Sequence, residues 1–282
     1  MSRLADYLRL VKFEHSVFAL PFVLSAAFIH ADGLPTPWQL LWMVVAAVSA
    51  RTSAMAFNRI VDRETDALNP RTQARELPTG RIRVSKAWAL TLVAAAVFVL
   101  AAAMLNWACF LLAFPALAVL LGYSYTKRFT AWCHVALGLS LGIAPMGAWL
   151  AVKPTFDYPP MVLVVAVIGW VAGFDIIYAL LDEDFDRAHG IHSAILSYGR
   201  GGALQVSSAL HAAFFVLMLW FGWLTGMGGA YHVALGIVAL VLLVEHALVS
   251  PDDLSRVNAA FFTANGLASL LILVGVSFEV FL

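Results

Sequence analysis

The sequence predicts an all-α, polytopic membrane protein with about nine transmembrane helices. Of its 282 residues, 62% are hydrophobic and only 12% are charged, whereas soluble domains carry about 25% charged residues. The apolar stretches approach the roughly 20 residues that a helix needs to cross a bilayer. None of them shows the strict alternation of a membrane β-strand. Helices are therefore the expected spanning elements.

Short polar segments separate the apolar stretches, and no low-complexity segment or linker divides the chain. A single membrane domain covering residues 1–282 is therefore expected. The predicted spans are residues 16–31, 37–57, 85–105, 107–124, 131–152, 160–181, 203–224, 229–248 and 256–280.

The distribution of basic residues predicts the orientation of these spans. If the N-terminus is cytoplasmic, all 17 Lys and Arg residues except Lys153 fall in cytoplasmic segments, as the positive-inside rule requires. Cys109 and Cys133 lie in apolar stretches and predict neither a disulfide framework nor a thiolate metal site. We expect a bacterial inner-membrane protein that is surrounded by lipid and has no nucleic-acid partner.

Residues 58–84 form the longest polar segment, and this segment begins with regularly spaced oxygen ligands. Asn58, Asp62 and Asp66, here called the first acidic cluster, lie four residues apart, so a continuing helix places them on one face. Arg51 lies seven residues earlier on the same face. Because a guanidinium inside a span needs an anionic or polar partner, we predict that Arg51 lines a cavity.

A second polar segment, residues 182–202, begins in a similar way. Asp182 and Asp186, here called the second acidic cluster, follow Asp175 and Tyr178 with the spacing i, i+3, i+7 and i+11. These four side chains form another stripe on one helix face. For Asp175 the alternative role is a structural hydrogen bond, and for Tyr178 it is packing in the core.

The chemistry of both clusters favours a hard divalent cation. Mg²⁺ takes oxygen ligands, commonly one or two carboxylates together with waters and substrate phosphates, and the Asn58 amide oxygen is a further ligand. Two such stripes facing each other would hold Mg²⁺ on a diphosphate, and the apolar helices would accommodate a hydrocarbon tail, at about 0.8 kcal/mol for each buried CH₂. Further donors to the phosphate oxygens are Arg63, Arg75, Lys127, Arg128 and His192.

This pattern predicts a membrane enzyme that ionises a lipid diphosphate at the cytoplasmic interface. The alternative from a different class is a cation transporter, but transporters bind their ions near the bilayer midplane. Here the acidic residues lie at helix ends together with basic residues, which favours a phosphate over a free cation.

At these residues the chain resembles the UbiA superfamily of intramembrane aromatic prenyltransferases. The first family signature is Asn-Asp-x-x-Asp-x-x-x-Asp, which the first acidic cluster matches, although Arg59 stands where an Asp is common. Residues 75–80 (RELPTG) resemble the family's Arg-Pro-Leu-Pro-Ser-Gly.

The second signature, Asp-x-x-x-Asp, matches the second acidic cluster. It is followed at residues 190–193 by GIHS, where the family often has Gly-Ile-Lys-Ser. Residues 123–128 (YSYTKR) resemble the family's basic loop. The resemblance covers essentially the whole chain.

The resemblance implies a nine-helix bundle around a central cavity that opens sideways to lipid. It also implies a polyprenyl diphosphate donor bound through Mg²⁺ to the two acidic clusters. Loss of diphosphate would give an allylic cation, a phenolic ring would attack this cation, and loss of a ring proton would restore aromaticity.

Residues 55–59 (MAFNR) and 174–178 (FDIIY) look most like the quinone-pathway branch of the family, which uses 4-hydroxybenzoate. A related subgroup acts on a dihydroxynaphthoate acid in a menaquinone route. Both acceptors carry a carboxylate, which suits Arg51, and the sequence leaves the choice between them open. Relatives with macrocyclic acceptors and prenyl diphosphate cyclases are weaker alternatives.

Overall fold

The computed structural model describes residues 3–12 and 16–282, and every regular element in these ranges is a helix. In chain order the helices are α1 (Arg3–Leu10), α2 (Ser16–Ala31), α3 (Pro37–Val61), α4 (Arg63–Leu68), α5 (Val84–Leu105), α6 (Trp107–Thr126), α7 (Cys133–Val152), α8 (Tyr158–Ala179), α9 (Glu183–His189), α10 (Ala194–Leu224), α11 (Gly229–Ala247), α12 (Val257–Ala259) and α13 (Asn265–Phe281). A 3₁₀ turn (Leu180–Asp182) joins α8 to α9, and a π-helical turn (Ala260–Ala264) joins α12 to α13.

The described helices confirm the all-α prediction. Eight of the described helical stretches are long and apolar enough to cross a membrane, and α2 is a shorter apolar helix. Each of the nine predicted spans therefore coincides with a helix, although several boundaries move. The largest difference is at α10, which begins at Ala194 rather than at residue 203.

The early start of α10 has a local cause. Ser193 caps the helix, because its hydroxyl accepts a hydrogen bond from the Leu196 N–H at 3.4 Å, as N-cap residues do. The helix then continues across a kink at Gly199, whose φ of +69° is open to glycine without a Cβ penalty. Residues 194–202 belong to the polar segment 182–202, which the sequence analysis placed before the predicted span 203–224.

The chain divides into two compact units. The first unit comprises Met1–Ser16 and Thr36–Tyr125, and within it α3 packs along α5. The Ser53 hydroxyl donates to the Thr91 carbonyl at 3.0 Å in this interface. Leu10 and Leu77 belong to a small apolar cluster that packs α1 and the polar segment against α3.

The start of α3 is fixed by a reciprocal cap. The Gln39 N–H donates to the Thr36 hydroxyl at 3.2 Å, and the Thr36 N–H donates to the Gln39 side-chain oxygen at 3.0 Å. Pro37 at the first helical position supplies a suitable φ. This cap fixes the start of α3. The first acidic cluster lies at the opposite end of the same helix.

The second unit comprises Val17–Pro35 and Thr126–Leu282. Within it α8 packs against both α7 and α10, and α11 packs against α13. The α7–α8 contact is close because Gly138 and Gly142 face α8: a Cβ on Gly138 would lie 2.5 Å from the Ile168 carbonyl oxygen. Small residues four apart allow this approach between membrane helices.

Candidate active site

The first acidic cluster lies where α3 ends and α4 begins. Asp62 is at once the C-cap of α3 and the N-cap of α4, with φ −89° and ψ 0°. Its N–H donates to the Asn58 carbonyl at 2.9 Å, and its carbonyl accepts from the Asp66 N–H at 2.7 Å. The i, i+4 hydrogen-bond pattern therefore passes through the junction, which keeps the three side chains in the order that the sequence predicts.

The side chains of this cluster contact each other and the polar segment. The Asn58 amide donates to Asp62 Oδ2 at 3.1 Å and to the Ser124 hydroxyl at 3.4 Å. Arg75 Nη1 donates to Asp66 Oδ1 at 2.6 Å. Asp62 and Asp66 are buried, with 3% and 6% exposure, so these carboxylates are protected from bulk water.

The second carboxylate oxygen of Asp66, Oδ2, bears on metal binding. It is buried and has no hydrogen-bond partner among the described residues. A buried oxygen left unsatisfied costs about 1–3 kcal/mol, and more when it is charged. Because the other oxygen of Asp66 already binds Arg75, this arrangement fits an additional cation at Oδ2.

The arginines around the first acidic cluster differ in their surroundings. Arg59 is buried at 5% exposure and interacts electrostatically with Asp66, Asp62 and Arg75. A buried guanidinium therefore occupies the position where the family often has a carboxylate. Arg63 is more exposed and pairs with Glu64 at 3.2 Å.

Arg51 lies two turns before Asn58 in α3 and is half-buried. Its Nη2 donates to the Lys12 carbonyl, just past the end of α1, at 2.9 Å. The polar partner predicted for Arg51 therefore includes a backbone carbonyl of the first unit.

The second acidic cluster lies on a change of helix type. The α-helix α8 ends at Ala179, the 3₁₀ turn contains Asp182, and Asp186 lies within α9. Because the 3₁₀ turn is wound more tightly than the α-helix, the uniform helical stripe predicted from Asp175 to Asp186 is interrupted. Asp186 is buried at 9% exposure, and Asp182 is half-buried.

Glu183 stabilises this region without belonging to the cluster. It accepts hydrogen bonds from Arg187 at 2.9 Å and from Arg200. These contacts tie α9 to the first turns of α10. Asp184 is exposed.

The basic loop and the loop after α9 meet within the second unit. The His192 N–H donates to the Lys127 carbonyl at 2.8 Å, and Cys133 Sγ lies 3.6 Å from the His192 carbonyl. The Gly190 N–H and the Ile191 N–H both bond to the Asp186 carbonyl. Lys127 and His192, two of the predicted phosphate contacts, are thus brought together, and Arg128 follows directly in the chain.

Asp175 has a partner that the sequence analysis missed. His134 Nδ1 lies 2.7 Å from Asp175 Oδ2, and His134 is buried at 3% exposure. The signal was present, because an ionisable residue within the predicted span 131–152 is a functional hypothesis by default. Tyr178, one turn further along α8, packs against Phe261 with ring centroids 4.3 Å apart.

A second buried polar group also escaped the sequence analysis. Glu245 of α11 accepts a hydrogen bond from Asn265 of α13 at 2.6 Å, and it lies 3.6 Å from His211 of α10. His246 Nε2 lies 3.0 Å from His211 Nδ1. These side chains connect three helices of the second unit.

The donor set of each cluster fits Mg²⁺ only with ligands from elsewhere. In the described ranges no three His, Cys, Asp or Glu side chains converge closely enough to hold a metal ion. Mg²⁺ commonly takes just one or two carboxylates and completes its shell with waters and phosphate oxygens. The open Oδ2 of Asp66 is consistent with this mode of binding.

Apolar helices of membrane-spanning length, with buried carboxylates at their ends, define a polytopic membrane protein with an acidic site. Family comparison makes the class specific. Residues 19–267 match the model of the UbiA prenyltransferase family. The chain belongs to this family, so it is a prenyltransferase, and the predicted membership is confirmed.

Curated relatives match along nearly the whole chain. A protein of Cupriavidus necator named 4-hydroxybenzoate octaprenyltransferase is 31% identical over 277 residues, which is 95% of this chain and 95% of the relative. A protein of Burkholderia ambifaria with the same name is 31% identical over 275 residues, covering 96% and 94%.

Solved structures agree with the fold. The apo structure of a UbiA homologue from Aeropyrum pernix is 34% identical, with a TM-score of 0.86, and the match covers 94% of this chain and 98% of that chain. A UbiA homologue from Archaeoglobus fulgidus bound to GPP and Mg²⁺ is 18% identical, with a TM-score of 0.67 over 95% and 99%.

Proposed function

We propose that this chain transfers a polyprenyl group from a polyprenyl diphosphate to the ring of an aromatic acid, with Mg²⁺ as cofactor, in ubiquinone or menaquinone biosynthesis. The acceptor is 4-hydroxybenzoate, and a dihydroxynaphthoate acid is the alternative. The transporter alternative falls away, because the chain belongs to a prenyltransferase family.

One observation carries the proposal: the buried carboxylate of Asp66 is held by Arg75 through one oxygen, while its other oxygen has no hydrogen-bond partner among the described residues. A cation bound at that oxygen would offset the cost of burying it. The names of the curated relatives, 4-hydroxybenzoate octaprenyltransferase, support the choice of donor and acceptor.

The carboxylates of the two acidic clusters would hold Mg²⁺ on the donor diphosphate, and the bound metal would neutralise negative charge on the leaving group as a Lewis acid. In the first unit, Arg63 and Arg75 would donate to the diphosphate oxygens. In the second unit, Lys127, Arg128 and His192 would do the same. Charge-assisted hydrogen bonds of this kind are about twice as strong as neutral ones.

The reaction breaks the carbon–oxygen bond of the donor and forms one carbon–carbon bond. The diphosphate leaves with the bonding electron pair, the aromatic ring attacks the allylic cation, and a ring proton departs to restore aromaticity. Helix ends and loops would exclude water, which would otherwise quench the cation.

Three residues would position the acceptor. Arg51 would pair with its carboxylate, because a guanidinium binds a carboxylate through two parallel hydrogen bonds. Asp175 would accept a hydrogen bond from a ring hydroxyl, and Tyr178 would pack against the ring. The site would lie on the cytoplasmic side of a bacterial inner membrane, formed by residues 1–282 acting as one domain.

The test is an assay of the purified protein with Mg²⁺, one polyprenyl diphosphate and a panel of acceptors containing 4-hydroxybenzoate and dihydroxynaphthoates. We expect diphosphate release together with a C-prenylated acid identified by mass spectrometry. EDTA should stop the reaction, and added Mg²⁺ should restore it. Prenylation of a dihydroxynaphthoate alone would select the alternative acceptor.

Two results would contradict the proposed function. Diphosphate release without any prenylated acceptor would indicate hydrolysis or cyclisation of the donor instead. Turnover that is unchanged in EDTA would remove Mg²⁺ from the proposal.

A further inference from the structure

Among the residues that the structure describes, His134 holds Asp175 at one side of its carboxylate. His134 Nδ1 contacts Oδ2 of the carboxylate at 2.7 Å. The Asp175 side chain retains 25% exposure, whereas that of His134 retains only 4%. The buried His134 ring therefore binds one oxygen of the Asp175 carboxylate, and the rest of this carboxylate is partly exposed.

The second nitrogen of His134 fixes its tautomer. The backbone N–H of Ala194, in the first turn of α10, points to His134 Nε2 at 3.4 Å. An N–H group is a donor only, so Nε2 must be the acceptor and cannot carry a proton. The proton of the neutral ring therefore lies on Nδ1, and Nδ1–H donates to Asp175.

We infer that His134 is a positioning residue for Asp175: it holds Oδ2 so that Oδ1 points towards the hydroxyl of the aromatic acceptor. This role rests on the proposed function. A side chain such as Asp175 reaches several rotamers when it stands alone, and a short hydrogen bond from a buried ring selects one. The Ala194 N–H orients the His134 ring from its other side, so the ring can hold Asp175 without rotating freely.

The same histidine links Asp175 to the segment that follows the second acidic cluster. Ala194 comes directly after Ser193, two residues beyond His192. The neighbouring residue Cys133 contacts the His192 carbonyl, and the His192 N–H contacts the Lys127 carbonyl. Movement of the 190–194 segment would therefore move the ring that holds Asp175.

A purely structural role predicts a different pattern of mutant effects. In that case His134 would serve only to join α7 to the start of α10 through Ala194, with Asp175 as a passive partner. The two nitrogens allow these roles to be separated, because an Asn amide occupies the position of Nδ1 and a Gln amide reaches the position of Nε2.

We therefore compare H134N, H134Q and H134L in the prenylation assay, varying acceptor and donor separately. H134N keeps the donor to Asp175 and should remain within about 3-fold of the wild type. H134Q and H134L should lose about 10- to 100-fold in kcat/KM for the acceptor, because a misplacement of about 1 Å can cost 10²-fold. The kcat/KM for the donor should change less. H232L, at an exposed histidine on α11, is the control and should leave the kinetics unchanged.

A double-mutant cycle completes the test. If His134 acts through Asp175, the variant H134L/D175N should be no more than about 3-fold worse than the poorer single variant, since the second change removes nothing further. Multiplied losses, or H134Q matching the wild type while H134N fails, would overturn the role of His134. Thermal unfolding of each variant in detergent identifies any that fail to fold, and the Asn–Gln pair still decides if H134L is one of them.

The wild-type assay separates failure of the proposed function from failure of the positioning role. A wild type that never prenylates an acceptor would overturn the proposed function, and the positioning role with it. A wild type that prenylates, combined with multiplicative mutant losses, would overturn the positioning role alone.

Discussion

The two carboxylate oxygens of Asp66 have different surroundings, and this difference defines the chemistry of the first acidic cluster. One oxygen binds Arg75 at 2.6 Å, whereas the other is buried without a hydrogen bond among the described residues. The Arg75 contact fixes the orientation of the carboxylate. The remaining oxygen would therefore already be oriented for the proposed cation, which would reduce the entropy lost on binding.

Removing one carboxylate from either acidic cluster should abolish turnover. We expect Asp62→Ala and Asp182→Ala each to lose at least about 100-fold in kcat, because carboxylate ligands supply the charge that holds the metal. Both proteins should still unfold cooperatively, since in the proposed function these side chains would bind a ligand rather than fill the core.

The matched control is Asp184→Ala, at an exposed acidic residue beside the second acidic cluster. It should keep wild-type turnover and the same requirement for Mg²⁺. Full activity in both Asp62→Ala and Asp182→Ala would rule out the proposed metal ligands.

Arg51→Ala should raise KM for the aromatic acid more than KM for the diphosphate donor. The physical reason is the loss of a half-buried cation that would pair with the acceptor carboxylate. Steady-state kinetics with each substrate varied in turn measure this difference. Arg256→Ala, at an exposed position, serves as the control for loss of one positive charge. Equal KM changes for both substrates would argue against a contact with the acceptor.

At the scale of helices, the predictions were most accurate where composition alone decides. Each of the nine apolar stretches coincides with a helix in the described part of the chain, because a backbone in lipid must satisfy its own hydrogen bonds. The spacing of the acidic residues predicted helix through Asp66 and Asp186, but it did not predict the breaks that separate α4 and α9 from the helices before them. His134 and Glu245 were missed because the apolar residues around them dominate their spans, and their partners come from other helices.

Close helix contacts likewise depend on partners that a single sequence does not reveal. Gly138 faces the backbone of α8, whereas a Cβ on Gly236 of α11 would meet no neighbouring atom within 4 Å. The two glycines look alike in the sequence, because each lies inside an apolar span. Only the packing distinguishes the contact glycine from the neutral one.

Gly138→Ala should lower the free energy of unfolding. The added methyl group would lie 2.5 Å from the Ile168 carbonyl oxygen. Overpacking of this kind costs about 1–3 kcal/mol and outweighs the gain of about 0.5–1 kcal/mol from replacing a helical glycine. Thermal unfolding in detergent measures the change. Gly236→Ala should be neutral or slightly stabilising, and equal melting temperatures for the two variants would contradict the close α7–α8 contact.

At the scale of the whole molecule, the distribution of charge predicts the orientation in the membrane. Lys153 is the exception among 17 basic residues, and it follows α7 directly. The acidic clusters and their basic neighbours would then lie on the cytoplasmic side, where the proposed reaction would take up a soluble aromatic acid and release diphosphate.

Cysteine labelling tests this orientation. In a background with Cys109→Ala and Cys133→Ser, Phe156→Cys should react with a membrane-impermeant maleimide in intact spheroplasts, because residue 156 is exposed and lies in the loop with Lys153. Ala188→Cys, exposed on α9, should react only after permeabilisation. The opposite pattern would invert the predicted topology.

Asp62 lies at the point where the chain passes from one helix to the next, and this has a mechanical consequence. Its backbone is bonded on both sides, because the Asp62 N–H donates to the Asn58 carbonyl and the Asp62 carbonyl accepts from the Asp66 N–H. The 63–83 segment is tied back to the same place, because Arg75 binds Asp66 and Leu77 packs in the apolar cluster with Ala56 of α3. A substitution that shifts one of Asn58, Asp62 and Asp66 would therefore displace the other two as well.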